Sequence, residues 1–270
     1  MTRRRVWNII VKEWRVLLTD VSNTLIVTLL PFLIVGQLVL YIWLASNFGG
    51  ESMLSNPVFQ GALEKLEMAA PAVAALPAGE RLLVLLLSQA NLYLLLIPAM
   101  IAINSASFSI VDEKLSRSLE ALLATPVRTW ELLLGKALAG AAPALVFTWL
   151  SALAFLLIVA GIGWGRLVGL VLTPAWFLSL FLLTPAVAML SFMLGVVGSS
   201  RARDARSAQN LAVVIILPVL ALIGVQLTGL VWFTTLTTLA LALGLVVVDL
   251  LMLRVAVRLF QRESIILKWR

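Results

Sequence analysis

Residues 137–160 read ALAGAAPALVFTWLSALAFLLIVA, a run of 24 residues with no charged side chain. A helix rises 1.5 Å per residue, so this run reaches about 36 Å, enough to cross a hydrocarbon core of roughly 30 Å. Lys136 precedes the run, and the next charge is Arg166. Five further apolar runs qualify as spans, at 21–45, 82–103, 167–197, 211–227 and 230–253. The fourth run in chain order, 167–197, is long enough to tilt or to extend past the lipid. The fifth is short and joins the sixth through Thr228 and Gly229, which leaves two full spans or a shallower hairpin; two spans are the preferred reading.

Composition agrees. The chain is 62% hydrophobic and 12% charged, against about 45–50% and about 25% in soluble domains. The net charge of +7 is not gathered into one basic domain, as nucleic-acid binding would require. It falls in short clusters between the spans. With the N-terminus inside, every Lys and Arg except Lys65, Arg81 and Arg166 lies on the cytoplasmic side. The positive-inside rule therefore puts both termini in the cytoplasm. The expected fold is an all-α integral membrane protein of six transmembrane helices. Trp43, Trp164 and Trp232 fall near the outer interface of that topology and Trp130 near the inner one, as aromatic belts do.

Residues 1–20 form a different kind of helix. Trp7, Ile10, Val11, Trp14, Leu17 and Leu18 recur at helical spacing, and Arg5, Asn8, Lys12, Arg15 and Thr19 take the other face. A basic amphipathic helix with Trp on its apolar side suits the membrane surface. The first apolar run begins too late, and runs too long, for a cleaved signal peptide. The outer loop, 46–80, holds a short helix expected at 57–68 and an Ala/Pro linker, and is too small for a core of its own.

The chain has no Cys and no His. That removes disulfides, thiolate chemistry, Cys/His metal sites and a His base. Asp249 is the ionisable side chain set well inside a span, with Arg254 five residues on as its expected neutralising partner. One isolated carboxylate is neither a proton relay nor a catalytic pair. Gly135-Lys136 invites comparison with a phosphate-binding loop, but Trp130 and Ala137 stand where that motif needs Gly and Ser or Thr. The chain is expected to hold no metal, to have no ATP site of its own and to be no enzyme.

The amides Gln89, Asn91 and Gln226 lie within spans, where they either join helices by hydrogen bonds or line a substrate path. Prolines 31, 98, 143, 174, 185 and 218 also fall inside the apolar runs, where each removes a backbone hydrogen bond. Neighbouring helices can satisfy the carbonyl so freed.

The segment 105–131 between spans two and three is too charged to cross. Residues 110–136 read IVDEKLSRSLEALLATPVRTWELLLGK. Leu115, Leu119, Leu122 and Leu123 make one apolar face of a helix. Glu113 and Arg117 form an i,i+4 pair on the other, and Thr125-Pro126 ends it. Lys136 marks the lipid boundary. The helix is either a loop resting on lipid or a docking element for a partner.

Leu119-Glu120, Leu122-Leu123, Thr125-Pro126-Val127, Glu131 and Gly135-Lys136 resemble the signature of type-2 ABC exporter permeases. Arg117-Ser118 stands where that signature has Gly-Thr, and Arg128 where it has Ser. A second stretch, Ser200-Arg201, Arg203-Asp204 and Arg206-Ser207-Ala208-Gln209, is similar to the loop between spans four and five in bacterial members. The resemblance implies a permease subunit in a prokaryotic plasma membrane. It implies two such chains, identical or homologous, paired with two separate ATPase subunits that bind ATP-Mg. It makes the 111–125 helix a coupling helix whose Glu113, Arg117 and Glu120 meet an ATPase, and the N-terminal helix a connecting helix. A secondary transporter or channel, or a non-transporting membrane scaffold, is the alternative.

Overall fold

A computed structural model describes residues 2–19, 21–115, 128–201, 217–222, 224–226, 228 and 232–259. Those residues are helical almost throughout. Helix α1 spans Thr2–Thr19 and α2 spans Val21–Phe48, followed by the short α3 (Gly50–Leu54) and α4 (Pro57–Ala69). Then come α5 (Ala78–Ser88), α6 (Ala90–Leu115) and α7 (Thr129–Val159). A π-helical turn at Ala160–Trp164 leads to α8 (Gly165–Val171) and α9 (Pro174–Leu178). A second π-helical turn at Ser179–Leu183 leads into α10 (Thr184–Arg201), and α11 covers Thr235–Leu259.

Among the described residues, five helical stretches are long and apolar enough to cross a membrane: Thr24–Phe48, Ala78–Ala106, Thr129–Val171, Pro174–Gly198 and Thr235–Leu259. The run expected at 211–227 contributes a shorter apolar helix, Leu217–Gln226, and its first residues lie outside the described part. Leu29, Leu33 and Leu40 on α2 and Leu236, Val247 and Leu250 on α11 leave wide apolar faces uncovered. Water would penalise such faces and lipid does not. The chain is membrane-embedded.

The stretch expected to span at 167–197 is divided. Residues Leu167 to Val171 belong to α8, which follows a kink at Gly163, where φ is +100°. A side chain is strained at that backbone angle, and glycine is not. The next crossing starts at Pro174, the first residue of α9, with Thr173 accepting a hydrogen bond from the Trp176 N–H. Pro174 therefore opens a helix rather than kinking one.

Lipid removes most of the hydrophobic drive between helices, so close packing of small residues has to hold them together. Ala102 and Ala106 of α6 are fully buried, and α10 brings Gly195 against Ala106. A Cβ on Gly195 would come within 2.7 Å of the Ala106 Cβ, and one on Gly140 of α7 within 3.0 Å of the Phe192 ring. The three helices meet where no larger side chain fits.

Two prolines inside the bundle free carbonyls that another helix then takes. Pro143 cannot donate to Ala139, and the Trp14 indole N–H of α1 donates to the Ala139 oxygen at 2.9 Å. In the second π-helical turn, Thr184 N–H donates to the Ser179 oxygen. The next bond in that register would run from residue 185 to Leu180, and residue 185 is proline. The Trp149 indole N–H of α7 donates to Leu180 instead, at 3.1 Å.

Candidate functional site

The N-terminal helix lies against the first turns of α7 through a patch that is both charged and buried. Glu13 and Lys136 pair at 3.1 Å, with the Lys136 side chain 1% exposed. Glu13 also pairs with Lys12 at 3.1 Å. Arg5 approaches Glu131 at 3.7 Å. Glu131 in turn accepts the backbone N–H of Arg128 at 3.0 Å, closing the first turn of α7 in the manner of a capping box. Between the two ion pairs sits Gly135, where a Cβ would meet Ile9 at 3.0 to 3.3 Å. Glycine at this position lets α1 approach, and the flanking Glu131 and Lys136 hold it.

Lys136, expected to mark the lipid boundary, stands in the first turns of α7 and is buried, with Glu13 of α1 as a counter-charge. The signal was present as a lone acid among the apolar positions Ile10, Trp14 and Leu17, but nothing local pairs it with a residue 123 positions away.

The expected docking helix is described only at its start. Residues up to Leu115 continue α6 without a break, which places Glu113 in the last turn of α6. Arg117 and Glu120 lie outside the described residues.

A cavity of about 250 Å³ opens at the other end of the bundle, where α5 ends and α6 begins. Asn91 and Gln226 both line it, with Ser88, Trp176, Trp232 and Thr234. Gln89 does not. It is buried at the join of α5 and α6, with its side-chain N–H₂ 3.5 Å from the Leu85 oxygen. The structure thus brings together two of the three amides singled out in the sequence. Ion pairs brace the surrounding elements: Arg81 with Glu67 at 2.9 Å ties α5 to α4, and Arg166 with Glu80 ties α8 to α5.

Asp249 sits partly buried on α11. Its Oδ1 has no hydrogen-bond partner among the described residues, and Arg254 does not pair with it. No group of three or more acidic side chains that would hold a metal ion occurs among the described residues.

A model of the ABC-2 family transporter protein family matches residues 7–253. The comparisons found no match among curated proteins and none among solved structures. The match begins within α1 and ends within α11, so it takes in the Glu13–Lys136 pair and the far-end cavity alike. The chain belongs to the ABC-2 family of transporter proteins, as a membrane permease.

Proposed function

We propose that this permease is an exporter subunit that works as a dimer in a prokaryotic plasma membrane, with both termini in the cytoplasm, driven by two copies of a separate ATPase. ATP-Mg is bound by the ATPase and not by this chain. Glu113, Arg117 and Glu120 make part of the ATPase contact. Force delivered there passes into α6 and, through the segment that follows, into α7. Asn91 and Gln226 belong to the substrate path, with Gln89 at the join of α5 and α6.

The observation that best supports this reading is the gripped start of α7. The α1 helix is fixed to Glu131, Gly135 and Lys136 by ion pairs and by the Ile9 side chain packed on Gly135, directly after the segment that would receive the ATPase. A push on that segment would therefore move α1 and α7 together, rather than bending a loose loop. Burying Lys136 against Glu13 is expensive unless the pair stays made, which favours motion as one body.

The test is reconstitution. The chain carrying an affinity tag is purified from its native membranes and should bring down an ATPase with a phosphate-binding loop. Replacing Glu113, Arg117 and Glu120 together by alanine should leave insertion intact and abolish coupling of ATP turnover to transport. Unchanged transport by the triple variant would defeat the assignment of the contact.

A further inference from the structure

We propose that the far-end cavity is a binding site for a small uncharged polyol of about monosaccharide size. The cavity's volume of about 250 Å³ equals roughly eight waters at about 30 Å³ each. It falls below the 300–1,000 Å³ range of sites for drug-sized molecules. Among the described residues, its walls carry no charged side chain. A charged ligand would give up its water without gaining a counter-charge.

Arg81 is paired with Glu67, and Arg166 with Glu80. These pairs pin α4 and α8 to α5, and the cavity walls use the C-terminal ends of those same two helices, at Leu66 and Ala69 of α4 and Leu170 of α8. The half-buried Arg81–Glu67 pair thus braces the α4 wall from outside the cavity.

The lining combines aromatic faces with amides. Trp176, Trp232 and Phe233 offer flat apolar surface. Asn91 and Gln226 offer paired donors and acceptors. Two polar atoms on lining residues are buried and lack a partner: the Gln226 side-chain oxygen, an acceptor, and the Trp176 indole nitrogen, a donor. Those residues are 5% and 4% exposed. Buried polar groups are normally satisfied. A hydroxyl both donates and accepts, so a molecule carrying several of them beside a C–H face matches both needs and the aromatic walls.

The transport meaning of this site rests on the substrate-path reading above; the binding itself needs no ATPase. The experiment uses the purified full chain alone in lipid nanodiscs. Saturation-transfer NMR is recorded with glucose, with glucose 6-phosphate and with glucosamine held at pH 6. Glucose should give saturable signal, and the anionic and cationic probes at least tenfold less. Gln226→Leu and Trp176→Phe should each weaken the apparent affinity by about fivefold, the scale of one hydrogen bond. Thermal melting of each variant verifies folding, and either folded variant suffices for the comparison. The proposal is overturned if glucose shows no saturable signal, if a charged probe matches it, or if a folded variant binds as well as the parent. Such failure would leave the ATPase experiment untouched, and loss of ATPase coupling would leave glucose binding intact.

Discussion

The indole N–H of Trp14 donates to the carbonyl of Ala139, the oxygen that Pro143 leaves without its helical partner. Trp14→Phe keeps the ring and removes the donor, so the buried carbonyl is orphaned at a cost of about 1–3 kcal/mol. In a Pro143→Ala background residue 143 regains its N–H, and the same change should cost less than about 1 kcal/mol. Thermal or denaturant unfolding of the four proteins in one detergent checks the cycle. Equal costs in both backgrounds would show that the bond does not compensate for the proline.

Lys136 is the most deeply buried member of the charge patch. Glu13→Ala removes a 3.1 Å partner of a lysine side chain that is 1% exposed, and should lower the melting temperature. Replacing both residues, Glu13→Leu with Lys136→Met, should be far milder than the single change. A double variant as unstable as the single one would argue that the pair does not hold α1 on α7.

Arg166 makes the contrast. Its side chain is 70% exposed. Exposed ion pairs contribute at most about 1 kcal/mol. Arg166→Ala should shift the melting temperature little, and less in high salt, where screening already weakens the pair.

Gly195 packs against Ala106 with no room for a methyl group. Gly195→Ala forces backbone and Cβ apart, at about 1–3 kcal/mol. Adding Ala106→Gly should recover part of that loss, since the Ala106 Cβ is the nearest obstacle, while the Ile103 carbonyl at 3.4 Å stays in place. Unfolding midpoints of the single and double variants decide it.

The chain has no native cysteine, so single cysteines report sidedness directly. A cysteine at Arg128 should react with an impermeant maleimide only after the cell is opened, and one at Glu51 in intact cells. Labelling of the Arg128 position from outside would invert the topology and remove the ATPase from reach.

The crossings were legible because lipid imposes one strong condition, a long run without charge, and the run at 137–160 meets it unaided. The start of the fourth crossing was less legible. The apolar run continues through Leu167 to Val171, and hydropathy alone does not register that Gly163 turns the backbone there. At the cavity, polarity inside a span pointed to Asn91 and Gln226 but equally to Gln89, which is buried at the join of α5 and α6 and does not line it. The composition of a span shows which side chains are polar; it does not show which way each one turns. The burial of Lys136 was not legible for a related reason, since its partner Glu13 comes from a helix more than a hundred residues earlier. The aromatic donors to Ala139 and Leu180 were legible only as a general allowance for proline in bundles, because the donors come from other helices.

The 31 residues of α7 run as one continuous helix through Pro143, about 46 Å long at 1.5 Å per residue. That exceeds the roughly 30 Å of hydrocarbon it must cross. One end is seized by α1, and the other meets the glycine joint at residue 163. A tilt of about 10° at the seized end swings the far tip by roughly 8 Å over that length. Such a crank would carry a small angular stroke across the bilayer as a displacement wider than a water molecule, with no change in its own internal hydrogen bonds.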